Sequence, residues 1–181
     1  MNEKVIWDFL YDKTHNAYGT AAVMGNLMAE SSLNSKSATG SKNKNYVSDA
    51  DSGAIDFVHD GVAFGLVQWC FRTRKEGLLN YAKACGTSVG DITTQLDYMW
   101  TELQKYTAVF DAVMNGNDIR TISDLVMLKY ERPAGTGEAQ KKKRADYGQK
   151  FYDQFAKQGR DTIIIPRSKV ENWQQTLKNI L

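Results

Sequence analysis

A glutamate closing a stretch of small and apolar residues is the feature of this sequence best suited to chemistry. Residues 19–30 read Gly-Thr-Ala-Ala-Val-Met-Gly-Asn-Leu-Met-Ala-Glu. Ala21, Ala22, Gly25, Met28 and Ala29 recur at three- and four-residue spacing, and Val23 and Leu27 stand seven and three residues before Glu30, so a helix here flanks its last carboxyl with hydrocarbon. Loss of water disfavours the ionised form. An acid in such a place keeps its proton near neutral pH and can give it to a leaving group. The same residues also fit a plainer reading, an exposed glutamate at a helix end with no chemical role, because Glu is rarely buried.

An acid of this kind works only if other elements hold it against a substrate. The chain of 181 residues, 42% hydrophobic and 11% aromatic, is long and apolar enough for one domain with a true core. Residues 3–12 place Val5, Ile6, Phe9 and Leu10 on one helical face, with Asn2 in position to cap it. After a polar turn, the Glu30 helix runs to about Leu33. Its glycines each cost about 1 kcal/mol against Ala in a helix interior, which predicts that another backbone passes close to Gly25. Residues 34–53 are rich in Ser, Lys, Asn, Gly and Asp and show no helical period. They read as a long loop or irregular hairpin, with a surface insertion as the alternative. Short extended pieces around Ile55–Val58, a turn at Asp60-Gly61 and a buried run from Phe64 to Trp69 follow.

The second half is helical. Residues 72–84 form a helix stopped by Gly86, and Asp91 caps the next, in which Leu96, Met99, Trp100 and Leu103 repeat at helical spacing. Shorter helices cover 108–114 and the neighbourhood of Ile122, Leu125, Val126 and Leu128, the latter ending before Pro133. A last helix opens on Lys141, Lys142, Lys143 and Arg144 and carries Tyr147, Phe151, Tyr152 and Phe155. Four cations at a helix start oppose its dipole, which suggests an anionic contact unless the run is simply solvated. Residues 1–158 therefore read as one domain. Residues 159–181 read as a linker and terminal helix that lead toward a further module.

Composition excludes several classes of function. A net charge of +2 gives no field for nucleic acid, and no run approaches the roughly 18 apolar residues of a membrane span. No charged-then-apolar leader opens the sequence, so no classical export signal is expected. Cys70 and Cys85 lack zinc spacing and read as buried thiols, with a bond between them as the lesser option. His15 and His59 stand far apart without a ligand cluster, so neither a metal nor a cofactor is expected.

Three motifs in order carry a resemblance. Gly25-Asn26 through Glu30-Ser31 and Asn34 is followed by Phe64-Gly65-Leu66-Val67-Gln68-Trp69, with Arg72 or Arg74 after it, and then by Glu131-Arg132-Pro133. Over residues 17 to about 155 the chain resembles the phage tail and endolysin lysozyme family, which is related in character to goose-type lysozymes and lytic transglycosylases. The resemblance implies a mainly α, α+β lysozyme-like fold, in which a small irregular β region between Asn34 and Val62 lines a cleft opposite Glu30. It implies that Glu30 is the catalytic acid, that Asp60 orients water, and that Asp51 is a second such carboxylate, with Asp49 and Asp56 as rivals. The expected reaction is muramidase cleavage of the β-1,4 bond between N-acetylmuramic acid and N-acetylglucosamine. The alternatives are a lytic transglycosylase using the same Glu30 and a non-catalytic wall-binding tail module. Bacterial peptidoglycan is the expected partner, with no nucleic acid and no membrane insertion, and the cell wall is the expected place of action. Gln68 is suited to an N-acetyl amide, and Tyr46, Phe64, Trp69 and Tyr130 to flat sugar faces, with Trp69 and Phe64 equally suited to the core. Glu131 is expected to brace the fold through an ion pair. His59 is placed to tune Asp60 or to serve the fold alone.

Overall fold

A computed structural model describes residues 2–157, which form a mainly helical domain with a very small sheet. The elements are α1 (Asn2–Thr14), α2 (Ala17–Ser31), β1 (Ala38–Thr39), α3 (Tyr46–Ser52), β2 (Ala63–Phe64), α4 (Arg72–Cys85), α5 (Ile92–Leu103), α6 (Thr107–Asn115), α7 (Ile119–Leu125) and α8 (Glu138–Phe151). A π-helical turn, Val126–Glu131, continues α7, and another, Tyr152–Ala156, continues α8. The expected linker and terminal helix at 159–181 lie outside the described residues.

The centre of the domain is α2, which is buried from Gly19 to Leu27 and packed by α1, α6, α7 and α8. It starts where the Asn16 side chain accepts from the Tyr18 N–H, while the Asn16 amide donates to the carbonyls of Val113 and Gly116 on the α6 end. Two of its glycines explain themselves by what lies against them. A methyl group at Gly19 would enter the Val113 carbonyl, and one at Gly25 would enter the Arg144 carbonyl and come within 2.6 Å of the Gly148 nitrogen. Gly148 in turn meets the Ala21 carbonyl. The close backbone expected at Gly25 is α8, and the crossing sets Arg144 beside the end of α2. Gly25→Ala should therefore lower stability by about 1–3 kcal/mol by forcing α8 outward. A denaturation midpoint equal to wild type would show that the crossing tolerates a methyl group.

Between α2 and α4 the sequence reading needs correction. Ala38 pairs with Phe64 and Thr39 with Ala63 in an antiparallel ladder, so the sheet uses residues 63–64 and not the extended pieces expected at Ile55–Val58. A helix, α3, occupies part of the stretch read as loop, burying Tyr46 and Ala50 four residues apart and ending at Gly53 in the left-handed region (φ 77°). Seven residues are too few for a period to stand out of a polar background. The start of α8 also moves, to Glu138. An acidic residue thus occupies the first turn, as the dipole favours, and the basic run lies further in. Cys70 and Cys85 are exposed and not buried, one just before α4 and the other its last residue.

Candidate active site

Glu30 sits in the last turn of α2, where burial gives way to partial exposure. The helix ends at once because Ser32 and Leu33 are both left-handed (φ 55° and 59°), an uncommon conformation for such residues. Ser31 ties that end down. Its hydroxyl reaches the Leu27 carbonyl at 3.2 Å and the Leu66 carbonyl at 3.0 Å, joining the Glu30 helix to the Phe64–Trp69 segment. Gln95 holds the same segment from below, accepting from the Leu66 N–H and donating to the carbonyls of Ser35 and Val89.

Two further ionisable groups meet Glu30. Arg144, from α8, donates through Nη2 to Glu30 Oε1, and its Nε lies 3.5 Å from Glu131 Oε2 at the end of the π-helical turn. Side-chain exposure grades from 16% at Glu30 to 7% at Arg144 and 2% at Glu131. Both Glu131 oxygens and Arg144 Nε lack hydrogen-bond partners. Burial first, and the neighbouring Glu30 carboxyl second, push Glu131 up to about 8, against the pull of Arg144. Glu131 thus has the ion-pair partner expected for it, Arg144, and is the most buried of the three groups. The carboxyl expected to lie among hydrocarbon has a guanidinium for a neighbour, and the deepest burial falls on Glu131.

The aspartates lie in other networks. Asp60 Oδ1 accepts from Lys75 Nζ at 2.5 Å and from the Val62 N–H at 2.9 Å, and Oδ2 accepts from the Tyr46 hydroxyl at 2.6 Å. Lys75 is fully buried, 4.3 Å from the centre of the Phe57 ring. Burial, then Asp60, push the Tyr46 hydroxyl far above the ordinary tyrosine range. Asp51 accepts from the Val89 N–H at 2.8 Å, and Asp49 from the Asn43 amide. His59 bonds Asp56 at 2.9 Å, and that bond is the main reason Asp56 titrates low, so the histidine's partner is Asp56 and not Asp60.

The rings suited to sugar stacking are inside. Phe64 and Trp69 are 0% exposed, Tyr130 2% and Tyr46 5%. Tyr46, Phe57 and Phe64 pack on one another at ring distances of 5.3–6.0 Å. Trp69 Nε1 and the Tyr130 hydroxyl both donate to Glu102 Oε2, Arg74 grips Glu102 through two nitrogens, and its guanidinium lies over the Tyr130 ring. The expectation that these four rings offer flat faces to substrate is corrected: their faces belong to the core. Gln68 is half-buried and left-handed (φ 53°), and its amide nitrogen donates to the Gly65 carbonyl.

Sequence reasoning missed Arg144, Glu102 and Lys75. Arg144 looks like one cation among four, although Gly148 four residues later marks the buried face it shares. Glu102 follows Met99 by three residues on the apolar stripe of α5, a place where a charge must have a partner.

A mainly helical domain with a carboxyl at the end of a buried helix and a very small two-stranded sheet is lysozyme-like in architecture. The family model described as phage tail lysozyme matches residues 1–155, and the chain belongs to that family. No curated protein matches it. Membership makes this a peptidoglycan-lytic domain. Among the described residues no helix is long and apolar enough to cross a membrane, and no group of three or more His, Cys, Asp or Glu is arranged to hold a metal ion.

Proposed function

We propose that this chain is a muramidase that cuts the β-1,4 bond between N-acetylmuramic acid and N-acetylglucosamine, with Glu30 as the general acid. The observation that carries the reading is the grading of exposure: of the three charged groups gathered at the end of α2, Glu30 is the one whose carboxyl opens to solvent, at 16%. A glycan strand laid there presents its linking oxygen to that carboxyl, which protonates it as the bond breaks. Water then attacks the anomeric carbon.

Asp60 is the carboxylate proposed to hold that water. A carboxylate accepts about four hydrogen bonds, and Lys75, Val62 and Tyr46 fill three. Asp51, with one oxygen on Val89, is the second candidate. A gap of about 6.5–9.5 Å between acid and base leaves room for the water and inverts the anomeric centre. Gln68 offers its amide to an N-acetyl group, while Phe64, Trp69, Tyr46 and Tyr130 support that wall from behind. No cofactor is needed. The substrate is bacterial peptidoglycan, so the domain acts at the cell wall, as part of a virion or of a larger lysin.

One observation favours the second reading, a lytic transglycosylase. Each expected water-holding aspartate already bonds a part of the fold, and a reaction without such a base uses the sugar's own hydroxyl to close an anhydro ring. The products decide. Digestion of purified peptidoglycan should release fragments with reducing N-acetylmuramic acid ends. Anhydro ends would transfer the assignment to transglycosylase, and the absence of any new glycan end would leave a wall-binding module.

A further inference from the structure

We propose that Glu131 stores the proton that Glu30 delivers, and that Arg144 holds the two carboxyls together so that the proton can pass between them. The inference rests on the assignment of Glu30 as the acid and extends it to a positioning residue that never touches the sugar.

The first argument is charge. Two carboxylates and one guanidinium, all ionised, would leave a net negative charge where side-chain exposure is 2–16%, and a buried unpaired charge is expensive. One proton on the pair makes the cluster neutral. Glu131 is the deeper seat, its side chain 2% exposed against 16% for Glu30, with a hydrogen-bond partner on neither oxygen. Its burial and the Glu30 carboxyl raise it to about 8, so near neutral pH it keeps that proton.

The second argument is the placement of Arg144. Its Nη2 serves Glu30 while its Nε, unpartnered, stands 3.5 Å from Glu131. The guanidinium thus balances whichever carboxyl is ionised. The one proton of the pair passes from Glu131 to Glu30, which hands it to the glycosidic oxygen as the bond breaks, and Arg144 Nε closes on the Glu131 carboxylate. The attacking water keeps its oxygen and one hydrogen on the anomeric carbon, its other proton goes to the carboxylate that holds it and on to solvent, and the pair takes up a proton from solvent for the next turnover. Nothing is oxidised or reduced. The groups around Glu131 leave this exchange undisturbed: Tyr130, beside it, donates to Glu102, Arg132 Nε donates to the Lys129 carbonyl, and Arg120 on α7 is bonded to Asp124 and Glu138.

The test is the pH–rate profile of Glu131→Gln, which keeps the shape and cannot store a transferable proton. Wild type should lose activity as pH rises through about 8. The variant should fold, lose roughly tenfold or more at pH 7, and recover toward lower pH, with its alkaline limb displaced by about one unit or more. A limb that stays in place, whatever the overall rate, would overturn the proposal and leave Glu131 a structural role. If the variant does not fold, titration of carbon-13-labelled glutamates in the wild-type chain decides the same question. One buried carboxyl should titrate near 8, and a set in which every glutamate titrates below about 6 would end the idea. Full lysis by a Glu30→Gln variant would instead fault the acid assignment itself.

Discussion

Glu30→Gln is expected to lower the rate of wall clearing by about 10²–10⁴-fold, the usual contribution of a positioned acid, with little change in thermal stability. Gln keeps the length of the side chain and an oxygen for the Arg144 Nη2 donor, so the crossing of α2 and α8 survives. What disappears is the proton. Turbidity of a purified wall suspension gives the rate, a thermal melt gives the fold, and co-sedimentation with walls tells binding from cleavage. Clearing at the wild-type rate would falsify the assignment of the acid.

The largest effect on stability is expected at Glu102. Its carboxylate is the shared acceptor of Trp69 Nε1, the Tyr130 hydroxyl and both donating nitrogens of Arg74, and its side chain is only 8% exposed. Glu102→Ala leaves all of them unpaired in the core. Breaking a buried pair from one side costs about 3–5 kcal/mol, so a urea midpoint close to wild type would mean that water reaches the site and repairs the loss. The same network has a pH signature. Burial pushes Glu102 up, but the hydrogen bond and charge of Arg74, with the donors of Trp69 and Tyr130, outweigh it and leave the group below its ordinary 4.5. A carboxyl depressed on folding stabilises above its unfolded value, and that contribution fades as pH falls through the folded one. Wild type should therefore weaken below about pH 4.5 more steeply than Glu102→Gln does.

These two residues mark how far the sequence could be read. The place of Glu30 at the end of a buried helix was legible because the elements around it follow local rules: a stripe of small residues, a glycine that had to meet a backbone, the Asp91 cap, the Gly86 stop and the break before Pro133. Glu102 was only half legible: its place on the apolar stripe of α5 signals a partnered charge, but its three partners arrive from α4, the Phe64–Trp69 segment and the π-helical turn, which no local pattern names. The aromatic residues misled for a related reason. Residue type says that a ring can stack on a sugar, but only the packing of Tyr46, Phe57 and Phe64 says that the faces are already covered. Arg144 hid among solvated lysines because its direction depends on where α8 starts, and that start lies three residues before the basic run.

The wide turn from Val126 to Glu131 sets the direction of its last side chain. Such a turn amounts to one residue slipped into an ordinary helix, and an α-helical path of the same length would swing its final side chain by about 100°. It is thus a backbone insertion, and not merely the choice of a glutamate, that aims Glu131 at Arg144. Removing one residue from this segment would turn the Glu131 carboxyl away from Arg144, even with a glutamate still before the same Arg-Pro pair.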